Sequence, residues 1–173
     1  MELTELLNSK YLNLDSFAEK ERNNYIKSKP FPNISMTNFF NEDFLSKVLE
    51  EFPDLSHINN SQIYKNKNEV KFTNNNYHEF PKNIKRLFDF LNSEIFVNFL
   101  NNITNIKEKL IPDPELNGGG LHEIKKGGLL KVHTDFNRHP HLDLDRRLNV
   151  LIYLNKNWQD SFGGHLQFWD KDM

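Results

Sequence analysis

The chain contains no cysteine, which excludes disulfide frameworks, thiolate metal sites and cysteine nucleophiles together. It also has no apolar run long enough to cross a bilayer. Met1-Glu2-Leu3-Thr4-Glu5 lacks the basic start and apolar stretch of a signal peptide. A cytoplasmic location with no membrane partner is the expectation, and a cysteine-free chain suits a reducing compartment. Charge of one sign is missing too. The 22 Lys and Arg nearly balance the 24 Asp and Glu, leaving a net charge of −2, so no basic face is implied and nucleic acid is not an expected partner.

What is present is polar. The mean hydropathy of −0.71 owes much to asparagine runs such as Asn74-Asn75-Asn76, which suit loops. The length of 173 residues is enough for one compact domain with a real core and hardly enough for two.

The first part reads as helical. Asp15 or Ser16 is placed to cap a segment containing Phe17, Ala18, Tyr25 and Ile26, with Lys27 and Lys29 at its C-terminal end. Pro30 and Pro32 end it, and a short strand, Ile34–Thr37, is expected to follow. Asn41 caps a second helix in which Phe44, Leu45, Val48, Leu49 and Phe52 recur at helical spacing. Residues 54–80 are weakly patterned apart from a strand around Val70-Lys71-Phe72. From Pro81 to about Leu110 the pattern is helical again, with Ser93 as an internal cap. Its apolar face of Leu87, Phe88, Leu91, Ile95, Phe96, Phe99 and Leu100 reads as core.

Character changes at Asn117-Gly118-Gly119-Gly120. Strands are expected at Leu121–Lys125, Leu129–Thr134, Leu148–Leu154 and His165–Trp169. Helices first and strands second make an α+β arrangement. A single domain over 1–173 is expected, with 1–116 as mainly helical support and 117–173 carrying the strands.

The informative unit is His133-Thr134-Asp135. On a strand, residues two apart point to one face, so imidazole and carboxylate project side by side as neighbouring metal ligands must. Two histidines and one carboxylate make a facial triad that leaves positions open on iron(II). Alone, His-x-Asp is more often a surface pair. Its surroundings strengthen it: Leu129-Leu130-Lys131-Val132 leads in, and a polar loop (Phe136 to Asp145) follows. Then comes Arg146-Arg147-Leu148-Asn149-Val150-Leu151-Ile152-Tyr153-Leu154-Asn155, a strand apolar on both faces. Lys156-Asn157-Trp158 and a turn lead to Gly163-Gly164-His165-Leu166-Gln167-Phe168-Trp169-Asp170.

In order and with short connections, these pieces resemble the first half of the double-stranded β-helix of prolyl 4-hydroxylase-like iron(II)/2-oxoglutarate-dependent oxygenases. The Tyr-Leu-Asn-Lys-x-Trp and Gly-Gly-x-Leu strands are similar to those of the hypoxia-sensing prolyl hydroxylases. The resemblance implies N-terminal helices packed on a partial jelly-roll or cupin-like barrel, with the last strands beyond Met173. It makes His133 and Asp135 iron ligands. Tyr153 would contact the distal carboxylate of 2-oxoglutarate, and Leu166 would line the cosubstrate pocket. With Leu166 and Phe168 inward, His165 and Gln167 would face away, which makes His165 a poor substitute third ligand. The family's second histidine and its basic 2-oxoglutarate contact are expected on strands past Met173, and the 173-residue chain alone is expected to be inactive.

Other residues have plainer readings beside a functional one. By a gapless count His122 and Glu123 stand where the hypoxia-sensing relatives carry a tyrosine, so a substrate contact is a candidate role for either. His139 and His141 fit a solvated loop first and substrate contact second. Arg146 and Arg147 would steer an anionic substrate, or pair with Asp143 or Asp145. His57 and His78 lie in weakly patterned loops and receive no role. Gly118–Gly120 lacks the Lys-Ser/Thr and helix of a phosphate-binding loop and reads as a turn.

The function implied is a dioxygenase using Fe(2+), 2-oxoglutarate and dioxygen, with ascorbate as reductant. It would hydroxylate an unactivated carbon of a peptidyl proline or a small molecule, with release of succinate and carbon dioxide. Retention of Asp135 favours hydroxylation over halogenation. The alternative is a non-catalytic, truncated binding or interaction module derived from the same fold. A cupin-like sugar-binding metal protein would explain His-x-Asp but not the strands after it.

Overall fold

The computed structural model describes residues 2–170 and Asp172. It combines helices with an antiparallel sheet, the mixture expected of an α+β chain. The chain divides into two compact units: Met1–Phe52, Glu79–Pro114 and Phe168–Met173 form the first, Pro53–His78 and Glu115–Gln167 the second.

Among the described residues the α-helices of the first unit are α1 (Leu3–Leu6), α2 (Leu14–Lys27), α3 (Glu42–Glu50), α4 (Lys82–Leu91) and α5 (Glu94–Thr104). The starts of α2, α3 and α5 have local causes. The Asn41 side-chain oxygen accepts from the backbone N–H of Asp43 at 2.9 Å and Phe44 at 3.2 Å, as expected of an N-cap. α2 begins earlier than expected, because Asn13 rather than Asp15 or Ser16 caps it, accepting from Ser16 N at 3.0 Å. Ser93 divides α4 from α5, its hydroxyl accepting from Phe96 N at 3.3 Å.

α5 stops at Thr104 instead of running on to Leu110. Asn105 takes a left-handed conformation (φ 56°), which Asn tolerates better than most residues. The Asn101 amide then collects the non-helical tail, donating to Ile106 O at 2.9 Å and accepting from Leu110 N at 2.8 Å. The expected strand at Ile34–Thr37 does not form. Extended pairing is confined to one bridge, Leu7 with Phe40, and Tyr11 Oη donates to Thr37 O at 2.9 Å.

Tyr11, Phe39, Phe40, Phe90, Phe96 and Phe99 are buried together. Their ring centroids lie as close as 4.9 Å for Tyr11–Phe39 and 5.1 Å for Phe90–Phe96. Such pairs contribute about 0.5–1.5 kcal/mol each beyond the area they bury.

The second unit carries the sheet: β1 (Gln62–Lys65), β2 (Glu69–Asn74), β3 (Leu121–Glu123) and β4 (Leu129–Leu130). β2 is central and all pairings are antiparallel. β2 contains the expected Val70-Lys71-Phe72 strand; β1 carries no clear sequence signal, because its residues alternate too weakly. Phe72 opposes Glu123 and Val70 opposes Leu129, so β3 and β4 are one edge strand interrupted by an excursion at 124–128. Gly128 sits where an added Cβ would meet Val70 O at 2.9 Å, and it lets the strand rejoin the ladder.

Lys131 N–H bonds Asn68 O at 2.9 Å, and regular pairing ends there rather than at Thr134. The expected strands at Leu148–Leu154 and His165–Trp169 carry no ladder among the described residues. A strand is held by its neighbour's backbone groups, and no described segment offers them to these two. Leu151, Tyr153 and Leu166 accordingly stay more than half exposed. In the first unit Phe168 rests against Phe31, with ring centroids 5.1 Å apart. It too is exposed, so the expected inward pairing of Leu166 and Phe168 is not formed. Among the described residues no helix is long and apolar enough to cross a membrane.

Candidate functional site

The chain leaves the ladder at Lys131 and turns through His133-Thr134-Asp135 in an irregular course. His133 Nδ1 lies 2.7 Å from Lys131 O. A carbonyl only accepts, so Nδ1 carries a proton, and in the neutral ring Nε2 is then the nitrogen with the lone pair. That Nε2 stands 3.6 Å from Asp135 Oδ1. The two side chains stand close together although the strand expected to align them ends before His133, and both remain partly open to solvent.

Asp135 Oδ2 is occupied differently. Asn149 Nδ2 donates a hydrogen bond to it, and Arg146 Nη2 lies 3.8 Å away. The Arg146 guanidinium stacks over the Phe136 ring, 4.6 Å from its centroid. Of the arginines expected to meet substrate, Arg146 is therefore engaged with Asp135, while Arg147 is exposed. Asp143 and Asp145 pair with Arg138, and the Arg138–Asp145 bridge closes the loop between them.

His122 shares this electrostatic neighbourhood. Desolvation by surrounding groups lowers its pKa, and Lys71 and Arg146 add repulsion, against the Gly119 carbonyl and Asp135, which favour the cation. Glu123, the next residue along β3, accepts from Leu55 N at 3.0 Å and so fastens the Leu55–His57 turn. His139 Nδ1 accepts from the backbone N–H of His141 at 3.2 Å and Leu142 at 3.0 Å. Its ring organises the loop.

Tyr153 and Leu166 are exposed. Partial desolvation raises the Tyr153 phenol above its ordinary pKa, and among the described residues no hydrogen bond ties it to His133 or Asp135. Asn149 and Phe136 are the site residues that sequence reasoning misses. Asn149 reads as one polar residue in an apolar run, and that interruption is the only signal that marks it.

The donors of the pair suit a metal. Two donors bonded to one ion at about 2.0–2.2 Å stand no more than about 4.4 Å apart, and the 3.6 Å between Nε2 and Oδ1 lies within that reach. The tautomer also fits, since a ligating histidine characteristically gives its other N–H to a carbonyl or carboxylate. The residues present thus fit iron(II) at two positions. No cluster of three His, Asp or Glu side chains suited to a metal occurs among the described residues.

Fold and site define a protein with an imidazole–carboxylate pair at the end of an antiparallel ladder. Residues 119–173 match the family model described as the 2OG-Fe(II) oxygenase superfamily. This match supports a dioxygenase-type function and implies use of Fe(2+) and 2-oxoglutarate. Searches of curated proteins and of solved structures returned no match.

Proposed function

We propose that the protein is an iron(II)- and 2-oxoglutarate-dependent hydroxylase of the prolyl 4-hydroxylase-like type, acting on a peptidyl proline or a small molecule. The observation that carries this reading is His133 Nε2 beside Asp135 Oδ1, inside the segment that matches the oxygenase family. In it His133 and Asp135 are the metal ligands, Tyr153 and Leu166 meet 2-oxoglutarate, and the strands from 117 onward belong to a double-stranded β-helix. Bound iron and 2-oxoglutarate supply dioxygen activation coupled to oxidative decarboxylation, with release of succinate and carbon dioxide. The chain's own groups do the rest: Lys131 O sets the imidazole tautomer, and Asp135 brings a carboxylate charge beside it.

The test is anaerobic addition of iron(II) and 2-oxoglutarate to a version that carries the strands expected past Met173, followed by air with ascorbate present. A visible charge-transfer band that His133→Ala abolishes is the expected result. A featureless spectrum would sink the reading. The second reading, a non-catalytic interaction module, is favoured by the exposure of Val150, Leu151, Tyr153 and Leu166, a run of apolar surface of the kind that marks contact sites. Succinate formation by the purified chain would overturn it.

A further inference from the structure

We infer that Asn149 is a positioning residue for Asp135, holding its Oδ2 for the protein so that Oδ1 alone is presented beside His133, while Arg146 steadies the carboxylate through its charge. The inference rests on the ligand reading proposed above and adds what sets the binding mode of the carboxylate.

A carboxylate with both oxygens uncommitted turns about its last bond and offers a metal either oxygen or both. Here the oxygens differ. Oδ2 accepts from Asn149 Nδ2, while Oδ1 is the atom 3.6 Å from His133 Nε2. The donor is a neutral amide, which places no formal charge against that oxygen. Arg146 stands at 3.8 Å from Oδ2, too far for a hydrogen bond, and supplies a favourable field without capturing the ligand. What holds it at that distance is the stack on Phe136 at 4.6 Å.

The stack in turn depends on Gly118. A Cβ there would lie 2.4 Å from Phe136 Cε1 and 3.3 Å from Arg146 Nη1, and the backbone has φ +69°, which favours glycine. Arg146 and Asn149 come from one stretch of the second unit and meet the Asp135 carboxylate, while Gly118, from an earlier turn, leaves room for the Phe136–Arg146 stack beside it.

The test uses the 173-residue chain with Mn(II) alone, a redox-inert stand-in for iron(II). Affinity is read by electron paramagnetic resonance. The binding mode is read from the separation of the asymmetric and symmetric carboxylate stretches of isotope-labelled aspartate. Wild type is expected to bind Mn(II) with the wide separation of a one-oxygen ligand. Asn149→Leu should bind about 10- to 100-fold more weakly, the usual effect of losing an outer partner, with the separation narrowed. Arg146→Met, which keeps the stem over Phe136, should weaken binding severalfold and leave the separation wide; Asn149→Ala, a smaller change at the exposed Asn149, should narrow the separation as well and decides the matter if Asn149→Leu fails to fold. Affinities within about twofold of wild type and unchanged spectra would overturn the inference and leave the proposed function standing. Absence of Mn(II) binding by wild type would instead overturn the ligand reading, and the inference with it.

Discussion

In the first unit Phe90, Phe96 and Phe99 are sealed from solvent, whereas in the second Leu151, Tyr153 and Leu166 are more than half exposed. Leu55, Leu116 and Leu121 are the buried apolar residues of the second unit among those described. The first unit is held by apolar burial, which for a large side chain contributes about 1.5–3 kcal/mol. The second is held by polar contacts: Lys125 Nζ to Asp54 and Ser56, both at 2.6 Å, Glu123 to Leu55 N, and Arg138 to Asp143 and Asp145. Solvent-facing contacts of this kind contribute less than a buried ring does, because water and salt compete for the same groups. The comparison teaches that the unit bearing the candidate site has the smaller reserve of stability, as elements that bind or move commonly do.

The comparison can be broken most directly at Phe90. Phe90→Ala removes a fully buried ring and should cost about 3–5 kcal/mol, read by urea unfolding followed through helix circular dichroism. A loss under about 1 kcal/mol would show that the aromatic cluster does not hold the first unit. Next in size is the α3 cap. Asn41→Ala leaves the N–H groups of Asp43 and Phe44 without their partner and should cost about 1 kcal/mol, measured in the same way.

The second unit should respond to acid through Asp54. Hydrogen bonds from Lys125 and then Ser56 hold its carboxyl well below the usual carboxylate range. Its folded pKa is depressed, so its contribution is present above the ordinary value of about 4 and is lost as pH falls toward the folded value. Lys125→Met should flatten the pH dependence of unfolding below about pH 4. Equal acid slopes for the two proteins would remove this pair from the account. The smallest effect is expected on the exposed apolar surface. Leu151→Ser should change stability by less than about 0.5 kcal/mol, and a larger loss would mean that Leu151 is covered in solution.

Much of the helical unit is legible in sequence because its signals are short-range. Asn41 and Ser93 act on N–H groups two or three residues away, and the apolar spacing of Phe44 and Val48 repeats within one helix. The start of α2 is less clear because Asn13, Asp15 and Ser16 are all competent caps, and only the reach of Asn13 to Ser16 N separates them. The strands are less legible still. Leu148–Leu154 has the composition of a buried strand, yet composition cannot provide the neighbouring backbone that would hold it. The excursion at 124–128 reads as a gap between two strands because their shared partner, β2 (Glu69–Asn74), lies far back in the chain.

The sequence by itself marked His133 and Asp135 as a candidate pair two residues apart, while their 3.6 Å approach was reached outside the expected strand. It also determined the helix starts at Asn41 and Ser93 and the resemblance that gives the pair a chemistry. Only the tertiary structure decided which Asp135 oxygen is committed, that Arg146 faces this carboxylate beside Phe136, and that Glu123 fastens the turn at Leu55. The physical reason is range. Caps are set by covalent geometry within a few residues, whereas Gly118, Asn149 and Leu55 reach their partners only after the chain has folded back.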